Sequence, residues 1–180
     1  MFGKKEPTVE QESIDELISG LMTEEGRAQA VFDLAGKEEI SEEHITNAIQ
    51  VYDGEKFFPR AIYIATKCSM SEKVKELREK NIRALEEKKD YKGAGMAAEE
   101  AGMHKRAISF YEKAGDILAA ARAAKKAGMA DHAERLYLRE IEKHDRDGNF
   151  EKAGRISKQA EMPEKMEMYK RLDDLRTKHL

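Results

Sequence analysis

This 180-residue chain has no tryptophan, a single cysteine, three prolines and only 7% aromatic residues. Each scarcity excludes something. One cysteine, Cys68, cannot build an internal disulfide framework and suits a reducing compartment. Three prolines leave long stretches free to be helical, and so few aromatics rule out a thick core. No apolar run approaches the length of a membrane span, and Met1 to Glu12 lacks the apolar centre of a signal peptide, so a cytoplasmic protein is expected. The formal net charge is −3, with 33 Lys and Arg against 36 Asp and Glu, which gives no global attraction to nucleic acid or anionic lipid.

What is present is a recurring stripe. Looking back from Met103 by twelve, nine, eight, five and two residues gives Tyr91, Ala94, Gly95, Ala98 and Ala101. The same offsets from Met129 give Ile117, Ala120, Ala121, Ala124 and Ala127. From Met162 they give Phe150, Ala153, Gly154, Ser157 and Ala160, and from Met70 they give Phe58, Ala61, Ile62, Ala65 and Cys68. The landmarks lie 33, 26 and 33 residues apart, with a fainter copy (Ala28, Val31, Phe32, Ala35) around Lys37. Positions three and four apart share a helix face, so each set is one small-residue stripe on the first helix of a hairpin. A contraction of seven residues removes close to two helical turns and keeps the facing of the next helix.

The second helices carry the bulk: Val74, Leu77 and Ile82; Ala107, Ile108 and Tyr111; Ala133, Leu136, Tyr137 and Ile141; Met166, Tyr169 and Leu172. Gly115-Asp116 and Gly148-Asn149 read as a helix stop followed by an N-cap, and Lys89-Asp90 as the same junction without glycine. Gly102 and Gly128 precede two landmark methionines, where Ser69 and Glu161 stand in the outer copies. The expected fold is all-α: a right-handed α-α superhelix, or solenoid, of antiparallel helical hairpins.

The copy from Tyr91 to Ala114 resembles the tetratricopeptide repeat, a two-helix hairpin of thirty-four residues. Tyr91 sits at its opening aromatic, Gly95 at its small position, and Ala107, Tyr111 and Ala114 at its three second-helix positions. Ala94 and Ala98 replace a large and an aromatic residue, the closing proline is missing, and the outer copies carry Arg78 and Lys170 where a second-helix aromatic belongs. The chain is thus tetratricopeptide-like over 56–180. Its alanine-rich hairpins are also similar to vesicle-fusion attachment proteins and clathrin-type solenoids.

The resemblance implies a ligand groove lined one, five, eight and nine places after each opening residue. Carried over, these are Pro59, Tyr63, Thr66 and Lys67; Lys92, Met96, Glu99 and Glu100; Leu118, Arg122, Lys125 and Lys126; Glu151, Arg155, Lys158 and Gln159. Tyr63, Lys67, Lys92, Arg122, Lys125, Lys126, Arg155 and Lys158 are the candidate partner-binding residues. The last five are expected to converge on one basic concave patch suited to an acidic peptide or terminal carboxylate. No asparagine falls at these places, so the family's carboxylate clamp is not reproduced.

Upstream, Ser13 with Glu16 reads as a capping box for an amphipathic helix through Ile14, Leu17, Ile18, Leu21 and Met22. Helices are expected at 24–34 and 41–52, with Pro59 in the first turn of the next. The expected organisation is a flexible tail over 1–12, a capping or degenerate repeat over 13–55, and repeats over 56–180. His44, His104, His132, His144 and His179 show no ligand spacing and are expected on solvated faces, without a metal or cofactor. Cys68 reads as a packed hydrophobe and Gly93-Ala94-Gly95 as part of a stripe rather than a phosphate loop. A non-enzymatic scaffold or adaptor binding a protein or acidic peptide is the leading expectation. RNA binding is the alternative, with Tyr63 the sole aromatic at the inferred groove places.

Overall fold

The computed structural model describes residues 9–37 and 40–178, and within them all regular structure is α-helical. Eleven helices follow in order among the described residues: α1 (Val9–Ser19), α2 (Glu24–Leu34), α3 (Glu42–Gly54), α4 (Phe58–Lys67), α5 (Ser71–Glu87), α6 (Tyr91–Glu100), α7 (His104–Lys113), α8 (Ile117–Lys126), α9 (Ala130–Arg146), α10 (Phe150–Gln159) and α11 (Pro163–Lys178). The chain divides into two compact units, Met1–Ala84 and Leu85–Leu180, with the boundary inside α5. In the first, α3 packs on α2 and on α4; in the second, each helix from α6 to α11 packs on the next.

All four first helices start on the opening residue of the stripe and are ten residues long. The second helices are α5 with 17 residues, α7 with 10, α9 with 17 and α11 with 16. The seven-residue contraction therefore falls wholly within α7. Burial follows the stripe: Ala61 and Ala65, Ala94 and Ala98, Ala120 and Ala124, and Ala153 and Ser157 are all fully buried. Ser157 satisfies its hydroxyl by donating to the Ala153 carbonyl at 2.8 Å. One core position escapes the stripe. Six residues before each landmark stand Ile64, Ala97, Ala123 and Ile156, all buried.

The landmark methionine has a physical cause. Gly102 adopts φ 74°, its N–H donates to the Glu99 carbonyl, and the Met103 N–H reaches back to the Ala98 carbonyl at 2.8 Å. This is the Schellman arrangement, in which a left-handed residue ends the helix and an apolar residue follows it. The same bonds recur at Ser69-Met70, Gly128-Met129 and Glu161-Met162. After the second helices, Lys89, Gly115 and Gly148 take the left-handed position, and Asp90, Asp116 and Asn149 follow. Those three residues close one helix with their N–H and cap the next, their side chains accepting from Gly93, Ala119 and Lys152 N–H. One residue thus sets both the exit and the entry angle at each of these junctions.

The amino-terminal helices depart from expectation at their start. α1 begins at Val9, which places Ser13 inside the helix rather than at its N-cap; Glu10, Gln11 and Glu12 are good helix formers that extend it upstream. Residues 1–8 of the expected tail lie outside the described residues, and Val9 to Glu12 are helical. α2 spans the expected 24–34, capped by Thr23, and Pro59 sits in the first turn of α4. The first unit has its core in Ile18, Val31, Ile49, Tyr52, Ile64 and Leu77, against which Cys68 packs half-buried. Burial raises the Cys68 thiol above its ordinary pKa, the opposite of an activated thiolate.

Candidate partner-binding site

Short capped turns bring α6 and α8 to either side of α7, and their outward residues open a depression of about 510 Å³. Lys92, Met96, Glu99 and Glu100 line it from α6, Tyr111 from α7, and Asp116, Ala119, Arg122 and Lys126 from the α7–α8 junction and α8. Six of these nine are groove places carried over from the repeat resemblance. Two copies therefore present those places to one shared surface.

Tyr111 forms the floor, and Gly95 is why it can. A methyl group at Gly95 would stand 2.8 Å from both Cδ1 and Cε1 of the ring, closer than carbon atoms tolerate. The Tyr111 hydroxyl donates to Glu99 Oε2 at 3.0 Å, and Lys126 Nζ donates to Glu99 Oε1 at 2.5 Å. The Lys126 hydrogen bond, followed by that from Tyr111 against an opposing burial effect, holds the Glu99 carboxyl below its usual range. Burial, then the bond to Glu99, pushes Tyr111 up to about 12. Asp116 works twice: Oδ1 caps the Ala119 N–H at 3.1 Å, and Oδ2 lies 3.4 Å from Lys92 Nζ.

The depression is balanced in charge, with Lys92, Arg122 and Lys126 facing Glu99, Glu100 and Asp116. Arg122 makes no ion pair among the described residues and supplies its uncommitted cation. Of the remaining candidates in this unit, Lys125 pairs with Glu161 at 2.8 Å and Arg155 with Glu151 at 3.6 Å, while Lys158 is exposed without an ion pair among the described residues. These three do not line the depression. Tyr63 and Lys67 lie on α4 in the first unit, where the Lys67 ammonium sits 5.6 Å from the Tyr63 ring centre.

The histidines divide. His132 is about a third exposed, 3.9 Å from Glu112. The side chains of His44 and His144 are only 16% and 15% exposed, close to Asp15 and Glu140, which corrects the expectation of solvated faces. α9 lies between α8 and α10, so two of its faces are covered and a residue on its polar side can still be enclosed. His104 Nδ1 is buried without a hydrogen-bond partner among the described residues, and His179 lies outside them. No group of three or more His, Cys, Asp or Glu among the described residues is arranged to hold a metal, and no described helix is long and apolar enough to cross a membrane.

No protein-family profile, curated protein or solved structure matches the chain.

Proposed function

We propose that the chain is a tetratricopeptide-like interaction module, a right-handed superhelix of hairpins whose first helices line a surface that binds a protein partner through an acidic peptide segment. The observation that carries this is the convergence of groove places from two successive copies on one depression, with Met96 half-exposed as an apolar contact and Arg122 as an unneutralised cation. Exposed charges of this kind contribute little to folding and much to the approach and hold of an oppositely charged ligand. The module has no catalytic step in this reading. RNA is the less supported ligand, because Tyr111 is enclosed in the floor and offers no free ring face for a base.

Binding of an acidic peptide pool, a basic pool of matched length and single-stranded oligouridylate, followed by fluorescence anisotropy, tests the reading. The acidic pool is expected to bind, to weaken with added salt, and to bind less to a variant with Arg122→Glu, Lys126→Glu and Lys158→Glu at unchanged helicity. Preference for oligouridylate, or equal binding of the acidic and basic pools, overturns it.

A further inference from the structure

The first unit gathers Tyr63 and Lys67, two of the carried-over groove places, with aromatic side chains and an arginine that those places do not include. The Lys56-Phe57 turn, with Lys56 at φ 61° and the Phe57 N–H bonded to the Tyr52 carbonyl, brings Phe57 to the start of α4. Arg60, Tyr63 and Lys67 then follow at spacings of three and four, on one face of that helix. The Arg60 guanidinium carbon lies 5.6 Å from the Phe32 ring centre, 5.4 Å from that of Tyr52 and 5.9 Å from that of Phe57. Phe32 in turn meets Tyr63 with ring centres 4.8 Å apart.

The cations here are held, yet no described carboxylate neutralises them. Arg60 Nη1 donates to Gln29 Oε1 at 3.0 Å, and among the described residues no carboxylate comes within ion-pair distance of it; Asp33 is engaged instead by Gln29 Nε2 at 3.0 Å. Lys67 likewise has no ion pair among the described residues, its stem lying over Gly36, where an added methyl would stand 3.1 Å from Cδ, and its head over Tyr63. In the second unit, by contrast, Lys92, Lys125, Lys126 and Arg155 each have a carboxylate. Beside the two cations, Phe57 and Tyr63 are 54% and 36% exposed.

We propose that this face, made by Arg60, Tyr63 and Lys67 of α4 with Phe32 and Phe57, docks an acidic peptide segment in which an aromatic or aliphatic side chain stands next to carboxylates. Arg60 and Lys67 take the carboxylates, Arg60 through a two-pronged guanidinium contact, and the apolar side chain covers Phe57 and Tyr63. Because rings and Gln29 already fix the guanidinium, little side-chain freedom is lost when the peptide arrives. A single-stranded nucleic acid fits less well: Phe32 and Lys67 already pack on the Tyr63 ring, and two cations track few phosphates. The inference rests on the proposed interaction module and names a second surface, in the first unit, that its partner engages.

The test uses the full chain and four labelled probes: a glutamate-rich peptide with spaced phenylalanines, the same peptide with serine for phenylalanine, its lysine-for-glutamate counterpart, and oligouridylate. The first is expected to bind best, with about tenfold weaker binding to Arg60→Gln and several-fold weaker binding to Lys67→Gln, as loss of charge-assisted contacts implies. Lys67→Gln leaves the Arg60 cluster in place and so keeps the test valid where Arg60→Gln lowers the melting temperature. Lys152→Gln, at an exposed lysine of α10 outside both surfaces, serves as a control that changes nothing. Binding of the glutamate-phenylalanine peptide that is untouched at Arg60 and Lys67 yet lost in the Arg122→Glu, Lys126→Glu and Lys158→Glu variant overturns this surface and leaves the module standing. Equal binding of the serine peptide removes the apolar half of the proposal, and preference for the lysine peptide or oligouridylate removes the charged half. Absence of binding by every peptide sinks both readings.

Discussion

The adjacent hairpins α6–α7 and α8–α9 open on first helices of the same length and part in the second, ten residues against seventeen. At their equivalent small positions they differ again: α6 has Gly95 and α8 has Ala121, both buried. The pair teaches where this architecture is tolerant. Seven residues can vanish from a second helix because the turn after it is rebuilt from the same parts, a left-handed glycine and a capping Asp or Asn. A single methyl cannot be added at Gly95, because the Tyr111 ring occupies its place. Length is negotiable at helix ends and volume is not negotiable at the crossings.

The largest expected effects break the comparison at those crossings. Alanine favours helices over glycine by about 1 kcal/mol, so propensity alone makes Gly95→Ala stabilising and Ala121→Gly destabilising. The contact with Tyr111 reverses the first: Gly95→Ala is expected to cost about 1–3 kcal/mol through overpacking. Ala98→Leu, at a fully buried slot, is expected to cost a similar amount, about 1–3 kcal/mol. Glu100→Leu, two residues on and exposed, is the control; Glu99 is unsuitable because it bonds both Tyr111 and Lys126. Urea midpoints measure all four. A stabilised Gly95→Ala variant would sink the close-packing account.

The slots were legible in the sequence because a small residue returned at fixed offsets, and the helix starts were legible because Asp or Asn precedes an apolar residue at three junctions. The buried position six residues before each landmark was not. In α6 and α8 it holds Ala97 and Ala123 among other alanines, where no contrast in hydrophobicity marks one face from another. That Lys92, Met96, Glu99 and Glu100 of α6 share a surface with Arg122 and Lys126 of α8 was also legible, but its charge balance was not. Lys126 finds Glu99 and Lys92 finds Asp116 across turns, at separations unrelated to any helical period. For the same reason the Arg60 cluster, assembled from three helices and a turn, left no trace in a reading built on repeats.

The next effect in size sharpens the comparison at the second-helix tyrosines. Tyr111 donates to Glu99, whereas α8 carries Lys125 at the place equivalent to Glu99, and Lys125 turns to Glu161. Tyr111→Phe is therefore expected to cost about 1–2 kcal/mol, the worth of a hydrogen bond to a charged acceptor, and Tyr137→Phe about 0.5 kcal/mol or less. The pH dependence follows from the same contact. The pKa of Tyr111 is raised in the fold to about 12 from 10.0, so its contribution is complete below pH 10.0 and is lost as the pH climbs through about 12. Denaturant melts across that window are expected to lose more stability in wild type than in Tyr111→Phe. Parallel pH curves for the two proteins would show that the hydroxyl is not coupled to folding.

The smallest effects extend the comparison to the turns on either side. Gly102 and Gly128 end α6 and α8 with positive φ, and the equivalent residue after α4 is Ser69 at φ 58°. Lys89, at the start of the second unit, holds the same conformation. A left-handed residue with a Cβ costs roughly 1–2 kcal/mol relative to its right-handed form. Glycine removes that cost but gives the unfolded chain more freedom, which takes back about 0.4–1 kcal/mol. Ser69→Gly and Lys89→Gly are therefore each expected to stabilise by about 0.5 kcal/mol. The reverse changes, Gly102→Ala and Gly128→Ala, are expected to destabilise by about 1 kcal/mol, although open space surrounds both glycines. Contacts with other residues cannot produce that sign at an uncrowded position, so thermal midpoints of the four variants isolate backbone conformation. Neutral alanine variants would mean that these turns relax into another ending, and that the bonds from Met103 to the Ala98 carbonyl and from Met129 to the Ala124 carbonyl do not fix where their helices stop.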